Sequence, residues 1–237
     1  MIPISLPHLA LSFVPLVAVA IVLWRWAIPV RTLGWATLRM VLQLFLIGYV
    51  LTFVFEADHP FIVVGVLAVM LTAASVIALR PLERRRPGQY RRAFVAIAGA
   101  GLATLVVVVA GVLDPPDWFE PRTLIPLAGM IFSNAMNAVS LAAERYAQAR
   151  SRDTAALTAR REALETALIP LLNSFFAVGL VALPGMMTGQ ILSGVAPHLA
   201  VRYQVMVMCM TLGAAGLAAA AYLAQEARAD LDEGRAA

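Results

Sequence analysis

Polar side chains recur on one face of an otherwise apolar stretch around residues 129–143. Ser133, Asn137, Ser140 and Glu144 follow one another at i, i+4, i+7 and i+11, which places them on one stripe of a helix, with Asn134 beside it. Polar groups at bilayer depth are costly unless they find partners, so they mark packing contacts or water-lined pathways. Two interpretations remain open: hydrogen bonds between helices, or the lining of a translocation path.

Two further amides lie within apolar stretches. Gln43 is one helical turn beyond Arg39, and Asn173 is followed by Ser174. Arg39 is near the end of its stretch and can extend its side chain to the interface, whereas Gln43 is deeper and needs a partner from another helix. We therefore expect Gln43 and Asn173 to line the same path.

Proline and glycine residues, which break regular helix, cluster in residues 183–194, although the surrounding sequence is too apolar for an ordinary loop. The stretch predicts a broken or re-entrant helix, which membranes tolerate only where its backbone is buried in protein or lines a cavity. We expect its residues to shape the outer end of the path: Pro184, Gly185, Met186, Met187, Thr188, Gly189 and Gln190.

Missing residue types exclude several kinds of chemistry. All 18 basic residues are arginines, so no lysine is present to complete a phosphate-binding Walker A loop. No carboxylate lies in the middle of an apolar stretch, which disfavours proton-coupled transport and an aspartyl protease. Cys209 is the only cysteine, and no set of metal ligands can be identified. We therefore expect no enzyme, no cofactor bound by this chain and no nucleic-acid partner.

The polar residues above must be positioned by membrane-spanning helices. Hydrophobic residues make up 61% of the 237, charged residues only 14%, and the mean hydropathy is +0.83; a soluble domain could not bury so much apolar surface. A span needs about 20 apolar residues. Seven stretches qualify and predict an all-α polytopic fold: Leu6–Trp24, Trp35–Phe55, Phe61–Leu79, Ala93–Leu113, Thr123–Ala143, Thr166–Leu183 and Tyr203–Ala224.

The arginines predict the orientation of these spans. All arginines except Arg122 and Arg202 lie in or beside the first, third and fifth connections between the spans or in the tail. Arg84, Arg85 and Arg86 are among them, in the third connection. The positive-inside rule makes that side cytoplasmic, so the N-terminus is expected outside and the C-terminus inside. Residues 1–10 lack the basic region of a signal peptide, so the first stretch is expected to be a retained span. We expect one transmembrane domain over residues 1–225 and a charged cytoplasmic tail over 226–237.

The longest polar connection, residues 144–165, mixes both charges and is rich in Ala, Leu, Arg and Glu, which favours helix. It has two interpretations: a solvated cytoplasmic helix pair that joins two spans, or a docking element for a cytoplasmic partner.

Three blocks of residues carry a resemblance to a known family. They are Gly-Met-Ile-x-x-Asn-x-Met at 129–136, Ala-Leu-Ile-Pro-x-x-Asn-Ser at 167–174, and Leu-Pro-Gly-Met-Met-Thr-Gly-Gln-Ile-Leu-x-Gly at 183–194, which is followed by Ala-Val-Arg-Tyr-Gln-x-x-Val-Met. With Arg39, Gln43 and Gly48, this pattern resembles the FetB-type ABC permease family of iron-export permeases, which has plant relatives linked to aluminium tolerance.

The resemblance implies a permease subunit in the inner, or cytoplasmic, membrane that exports a metal ion such as iron. It also implies two permeases that pair with two cytoplasmic P-loop ATPase subunits, which hold the ATP and Mg. Segment 144–165 would then receive the ATPase through Glu144, Arg145, Arg160, Arg161 and Glu162. The alternative is an ATP-independent channel or a structural membrane protein.

Overall fold

Apolar segments of this length satisfy their backbone hydrogen bonds within helices, and helices account for the fold. The computed structural model describes residues 5–56, 59–82 and 87–236; Arg84, Arg85 and Arg86 lie outside them. The described α-helices are α1 (Leu6–Leu11), α2 (Val14–Arg25), α3 (Val30–Phe55), α4 (Pro60–Ala78), α5 (Pro87–Val108), α6 (Pro121–Arg150), α7 (Ala156–Ala177), α8 (Gly185–Leu192) and α9 (Pro197–Ala236). A π-helical turn, Val109–Leu113, ends α5. All of these elements are helical, so the all-α prediction is confirmed for the described residues.

Among the described residues, 6 helical segments are long and apolar enough to cross a membrane. They are Leu6–Arg25, Val30–Phe55, Pro60–Ala78, Gly88–Leu113, Pro121–Arg150 and Pro197–Asp232. Each contains, or nearly coincides with, one of the predicted spans. The chain is therefore a polytopic, all-helical membrane protein.

The predicted sixth span, Thr166–Leu183, is not among these segments. Helix α7 begins at Ala156 within the charged connection and ends at Ala177, where Val178 takes an extended conformation. Only residues 166–177 of the predicted span are helical, and they measure about 18 Å at 1.5 Å per residue. The hydrocarbon core is about 30 Å thick, so this part of α7 does not cross it alone.

The chain divides into two compact units, Met1–Ala57 and Asp58–Ala237. In the first unit, α2 packs against α3, and a groove of about 410 Å³ between them is lined by residues such as Leu16, Val30 and Val41. Val54 is the only residue of α1–α3 that is fully buried in the described structure. This unit exposes apolar side chains almost throughout, as a membrane environment permits.

The second unit is built around α6 and α9. Helix α6 packs against α4, α5, α7 and α9, and α9 also packs against α5, α7 and α8. Small residues are fully buried where these helices meet and allow close approach of the backbones. They include Ala135, Ala138 and Ala142 on α6 and Ala214, Ala215 and Ala218 on α9.

Candidate functional site

The polar stripe lies on the face of α6 that the core leaves uncovered. Ser133 and Asn137 are exposed and Asn134 and Ser140 are half-buried, whereas Ala135 on the opposite face is completely buried. Two of the polar side chains form hydrogen bonds within their own helix: Ser133 Oγ and Asn134 Nδ2 donate to the carbonyl oxygen of Met130, at 3.2 and 2.9 Å. The stripe thus presents amide and hydroxyl groups outward from an apolar helix.

Asn173 lies on α7, which forms an antiparallel hairpin with α6. Near the turn of this hairpin, Arg145 Nη2 donates to Glu162 Oε2 at 2.8 Å. The side chain of Asn173 is exposed. Gln43 is an exposed residue of α3 and belongs to the first unit.

The predicted interruption of helix is present at Gly194, which belongs to the predicted stretch, and at Gly179 before it, but not at Gly185 or Gly189. Residues Gly185–Leu192 are themselves helical, with Pro184 as the residue before α8, so Gly185 and Gly189 do not break the chain. Gly179 and Gly194 do, with φ of +80° and +92°, a left-handed region that glycine enters without steric cost. Proline before a helix start is compatible with the helix that follows, which explains why the motif folds as α8.

Two cavities flank α8 and α9. The first, of about 400 Å³, is lined by the beginning of α6 and by residues that include Met130, Met186, Tyr203 and Met206. The second, of about 340 Å³, is lined by the end of α7, the following loop, Met187 of α8 and one face of α9. The broken-helix residues Met186 and Met187 therefore face different cavities.

Two glutamine side chains near these cavities have an unpaired oxygen. Within the described residues, Oε1 of Gln190 on α8 and Oε1 of Gln204 on α9 are buried and accept no hydrogen bond. Gln204 is 5% exposed and lines the second cavity. Gln190 was predicted from the sequence as a site residue and Gln204 was not, although a lone amide in an apolar span was a signal that could have indicated it.

The hairpin of α6 and α7 contains the residues proposed to receive the ATPase. The predicted helical content of segment 144–165 is confirmed: α6 continues to Arg150 and α7 begins at Ala156, with a turn over residues 151–155 between them. Arg145 and Glu162 pair with each other across the hairpin, and Arg161 pairs with Glu165 along α7 at 2.9 Å. Glu144 and Arg160 are exposed, and so is the apolar side chain of Leu157 beside the turn, at 58%.

A cluster of ion pairs ties the end of α9 to α5 and α6. Arg92 Nη1 on α5 donates to the buried Glu226 Oε1 at 2.9 Å, and Gln89 Nε2 is 3.4 Å from Glu226 Oε2. Tyr146 Oη and Arg150 Nε on α6 both donate to Asp230 Oδ2 at 2.9 Å. Residues 226–236, expected as part of a charged tail, thus continue α9, because these pairs and the buried Ala227 hold them against the bundle.

This cluster of ion pairs was not predicted from the sequence. Tyr222, Glu226 and Asp230 are spaced by four residues and share one face of α9, a pattern visible in the sequence. The partners on α5 and α6 are more than 75 residues away in the chain and could not be assigned from that spacing.

These features define an all-helical, multi-pass membrane protein with an uncovered polar stripe, a broken helix and a charged helical hairpin. The chain belongs to the family described as "Uncharacterised protein family (UPF0014)", whose model matches residues 6–229. The resemblance given by the three sequence blocks is therefore confirmed.

Relatives come from bacteria and plants. The chain is 37% identical over 210 residues to "UPF0014 membrane protein slr1647" of Synechocystis, covering 82% of this chain and 81% of the relative. It is 34% identical over 200 residues to "Probable iron export permease protein FetB" of Escherichia coli, covering 77% and 75%. It is 31% identical over 192 residues to "Protein ALUMINUM SENSITIVE 3" of Arabidopsis thaliana, covering 75% and 69%. No solved structure matches the chain.

Proposed function

We propose that this chain is the membrane-spanning permease subunit of an ABC transporter in the cytoplasmic membrane. Its cargo would be a metal ion such as iron, exported with energy from a separate ATP-binding subunit. The relative named as a probable iron export permease supports the permease role and the cargo. The absence of lysine from the sequence supports a separate ATP-binding subunit, because a Walker A loop requires that residue.

The observation that carries the proposal is the outward-facing polar stripe of α6. Hydroxyl and amide groups facing lipid would lose their hydrogen bonds to water, and the bonds of Ser133 and Asn134 to the Met130 carbonyl replace them only in part. A path for a solute, closed by a second permease, gives these groups both water and partners. The path would include Ser133, Asn134, Asn137, Ser140 and Asn173.

We assign seven crossings to the chain, with the N-terminus outside and the C-terminus in the cytoplasm. The six long helical segments supply six crossings. The second half of α7 together with the loop and α8 supplies the seventh as a broken crossing, because neither helix spans the membrane alone. The charged hairpin and the ion pairs at the end of α9 then lie on the cytoplasmic side, in agreement with the arginine distribution.

The ATPase would bind the end of the α6–α7 hairpin. Because Arg145 and Glu162 pair with each other, their role in the proposal is to hold the hairpin rigid. Glu144 and Arg160 are exposed and would contact the ATPase by charge, and Leu157 would provide the apolar anchor of the interface. A rigid hairpin transmits a displacement from the ATPase to α6, which carries the polar stripe.

This assignment predicts that Leu157→Asp removes the ATPase from the purified complex. The tagged chain is purified from its native membrane in mild detergent, and the partner is quantified by mass spectrometry. Because an apolar anchor at an interface centre contributes about 2 kcal/mol or more, the aspartate variant should retain less than about a tenth of the ATPase.

Thr158→Asp is the matched control, since it adds the same charge at the neighbouring exposed position; it should keep the ATPase. Equal recovery of the ATPase with both variants would contradict the docking site. Purification of the wild-type chain without any P-loop ATPase would contradict the permease assignment and favour an ATP-independent channel.

A further inference from the structure

Arg150 is the last residue of α6, and its side chain makes hydrogen bonds in two directions. Nε donates to Oδ2 of Asp230 on α9 at 2.9 Å, and Nη1 donates to the backbone carbonyl oxygen of Thr154 at 2.8 Å. Thr154 belongs to the turn over residues 151–155 between α6 and α7. A guanidinium is planar and carries its donors in a fixed fork, so the two bonds hold the turn at a set position relative to α9.

The turn itself has a constrained backbone. Asp153 has a φ of +57°, which is unfavourable for a residue other than glycine. Its N–H donates to the carbonyl oxygen of Arg150 at 3.1 Å, and the N–H of Thr154 donates to that of Ala149 at 3.2 Å. A residue in such a region keeps its conformation only where the surrounding structure over-determines it. The bond from Arg150 to Thr154 is one of these constraints, so the turn moves together with Arg150.

The other end of the connection is held at two levels of α9. Asp230 also accepts a hydrogen bond from Tyr146 Oη on α6 at 2.9 Å. One helical turn earlier, Glu226 accepts a hydrogen bond from Arg92 Nη1 on α5 at 2.9 Å. Residues Pro197–Ala236 form one continuous helix. At this end α9 therefore cannot rotate or slide against α5 and α6 without breaking these pairs.

Exposure indicates what each ion pair contributes. The side chains of Arg150 and Asp230 are 36% and 17% exposed, and an ion pair in contact with solvent contributes little to stability. Glu226 is only 4% exposed, so removing its partner would leave a buried charge and destabilise the protein. The main effect of the Arg150 pair is therefore to fix geometry, and this pair can be changed without unfolding the bundle.

We propose that Arg150 is a positioning residue that couples the turn of the α6–α7 hairpin to α9. A displacement of the turn is passed through Asp230 to α9, and from α9 through Glu226 to α5, so that three helices move together. The turn directly precedes Leu157, the proposed apolar anchor for the ATPase. That an ATPase displaces the turn rests on the proposed function, whereas the connection between the turn and α9 does not.

The connection is tested without any ATPase by hydrogen–deuterium exchange of the full chain in lipid nanodiscs, followed by mass spectrometry. Asp230→Ala should speed exchange of the amides at 152–154 by about threefold or more, because loss of a partly exposed ion pair shifts a local opening equilibrium by about that factor. Arg150→Lys, which has one nitrogen in place of the fork, should do the same. Combining the two changes should add nothing further at the turn, since either one breaks the connection.

Asp232→Ala and Arg152→Lys are the matched controls, because both residues are exposed and lie two positions from the residues that are tested. Neither should change exchange at the turn, and none of these variants should change exchange in the core of α6, at residues 131–139. Unchanged exchange at the turn in Asp230→Ala, or equal acceleration by Asp232→Ala, would overturn the proposal. So would acceleration along the whole of α6, because the pair would then have a purely structural role.

The coupling is tested in the complex with the ATPase that co-purifies with the chain. Cys209 is the only cysteine and is exposed on α9, so a bimane fluorophore attached there before the ATPase is added reports on the surroundings of α9. Trapping with ATP and orthovanadate should shift the bimane emission in the wild-type complex and in Arg152→Lys. Arg150→Lys should keep the bound ATPase and its ATP hydrolysis but lose the emission shift.

An emission shift that persists in Arg150→Lys, or that is absent from the wild-type complex, would overturn the coupling. Loss of the ATPase from Arg150→Lys would overturn it as well, because the residue would then act in docking. Absence of any ATPase from the wild-type preparation would instead contradict the proposed function, and hydrogen exchange would still decide whether Arg150 connects the turn to α9.

Discussion

At the scale of single residues, Asn137 is the best test of the proposed path, because it is an exposed amide in the middle of an apolar helix. It lies one turn from Ser133 and about one turn from Ser140, and the buried face of α6 begins at the neighbouring Ala138. Amide groups on such a face interact with water and with solutes but gain nothing from lipid. Removing the amide should therefore affect a path more than it affects the fold.

We predict that Asn137→Leu abolishes transport while leaving assembly intact. Leucine is apolar and similar in size, so the helix keeps its packing, but the path loses a group that replaces the hydration of the solute. The measurement is cargo flux in vesicles, with the amount and oligomeric state of the purified protein measured in parallel.

Asn137→Gln, which keeps the amide, should retain a substantial part of the flux. Val107→Leu, a change on the 63% exposed and apolar face of α5, should leave it unaltered. Flux at the wild-type level in the leucine variant would remove Asn137 from the path.

Residue spacing predicted the stripe because helical periodicity alone determines which side chains share a face. It could not predict the ion pairs of Glu226 and Asp230, since their partners come from α5 and α6 and are chosen by packing. Gln204 could have been noticed as a lone amide in an apolar span, but its unpaired oxygen results from packing and is not visible in the sequence.

At the scale of the elements, composition and hydropathy predicted six of the long helical segments, because a span of apolar residues has no alternative to helix in lipid. The remaining predicted span failed as a continuous helix. Helix α7 runs without a break from the charged hairpin into the apolar stretch and ends at Ala177, before the stretch does. The position of Gly179, with positive φ, determines that end.

The contact between α5 and α6 gives a stability prediction at this scale. A Cβ atom added at Gly101 would lie 2.8 Å from Cε1 of the buried Phe132 and 3.3 Å from Cγ2 of Ile131. Gly101→Ala should therefore destabilise the protein by about 1–3 kcal/mol through overpacking, measured as a lower thermal unfolding midpoint in detergent.

Gly99→Ala is the matched control, since it lies half a turn earlier on the same helix and a Cβ there meets nothing within 4 Å. It should be neutral or slightly stabilising because alanine is the better helix former, by about 1 kcal/mol. An equal fall in the unfolding midpoint for both variants would mean that the helices do not approach closely at Gly101.

For the whole molecule, α9 links the two ends of the second unit. Near its beginning it forms a wall of both cavities, with Tyr203 and Gln204, and near its end it pairs with α5 and α6 through Glu226 and Asp230. A displacement of the α6–α7 hairpin by an ATPase would reach α9 through Tyr146 and Arg150. The proposed transport cycle thus has a physical connection from the α6–α7 hairpin to the cavities at the beginning of α9.

The proposed function is tested most directly by iron(II) accumulation in inside-out membrane vesicles that contain this chain and the P-loop ATPase that co-purifies with it. We predict accumulation that requires ATP and stops when the Walker A lysine of that ATPase is replaced. Accumulation that persists without ATP would contradict the account and identify the chain as a channel. Absence of iron accumulation, with the ATPase still bound and active, would contradict iron as the cargo.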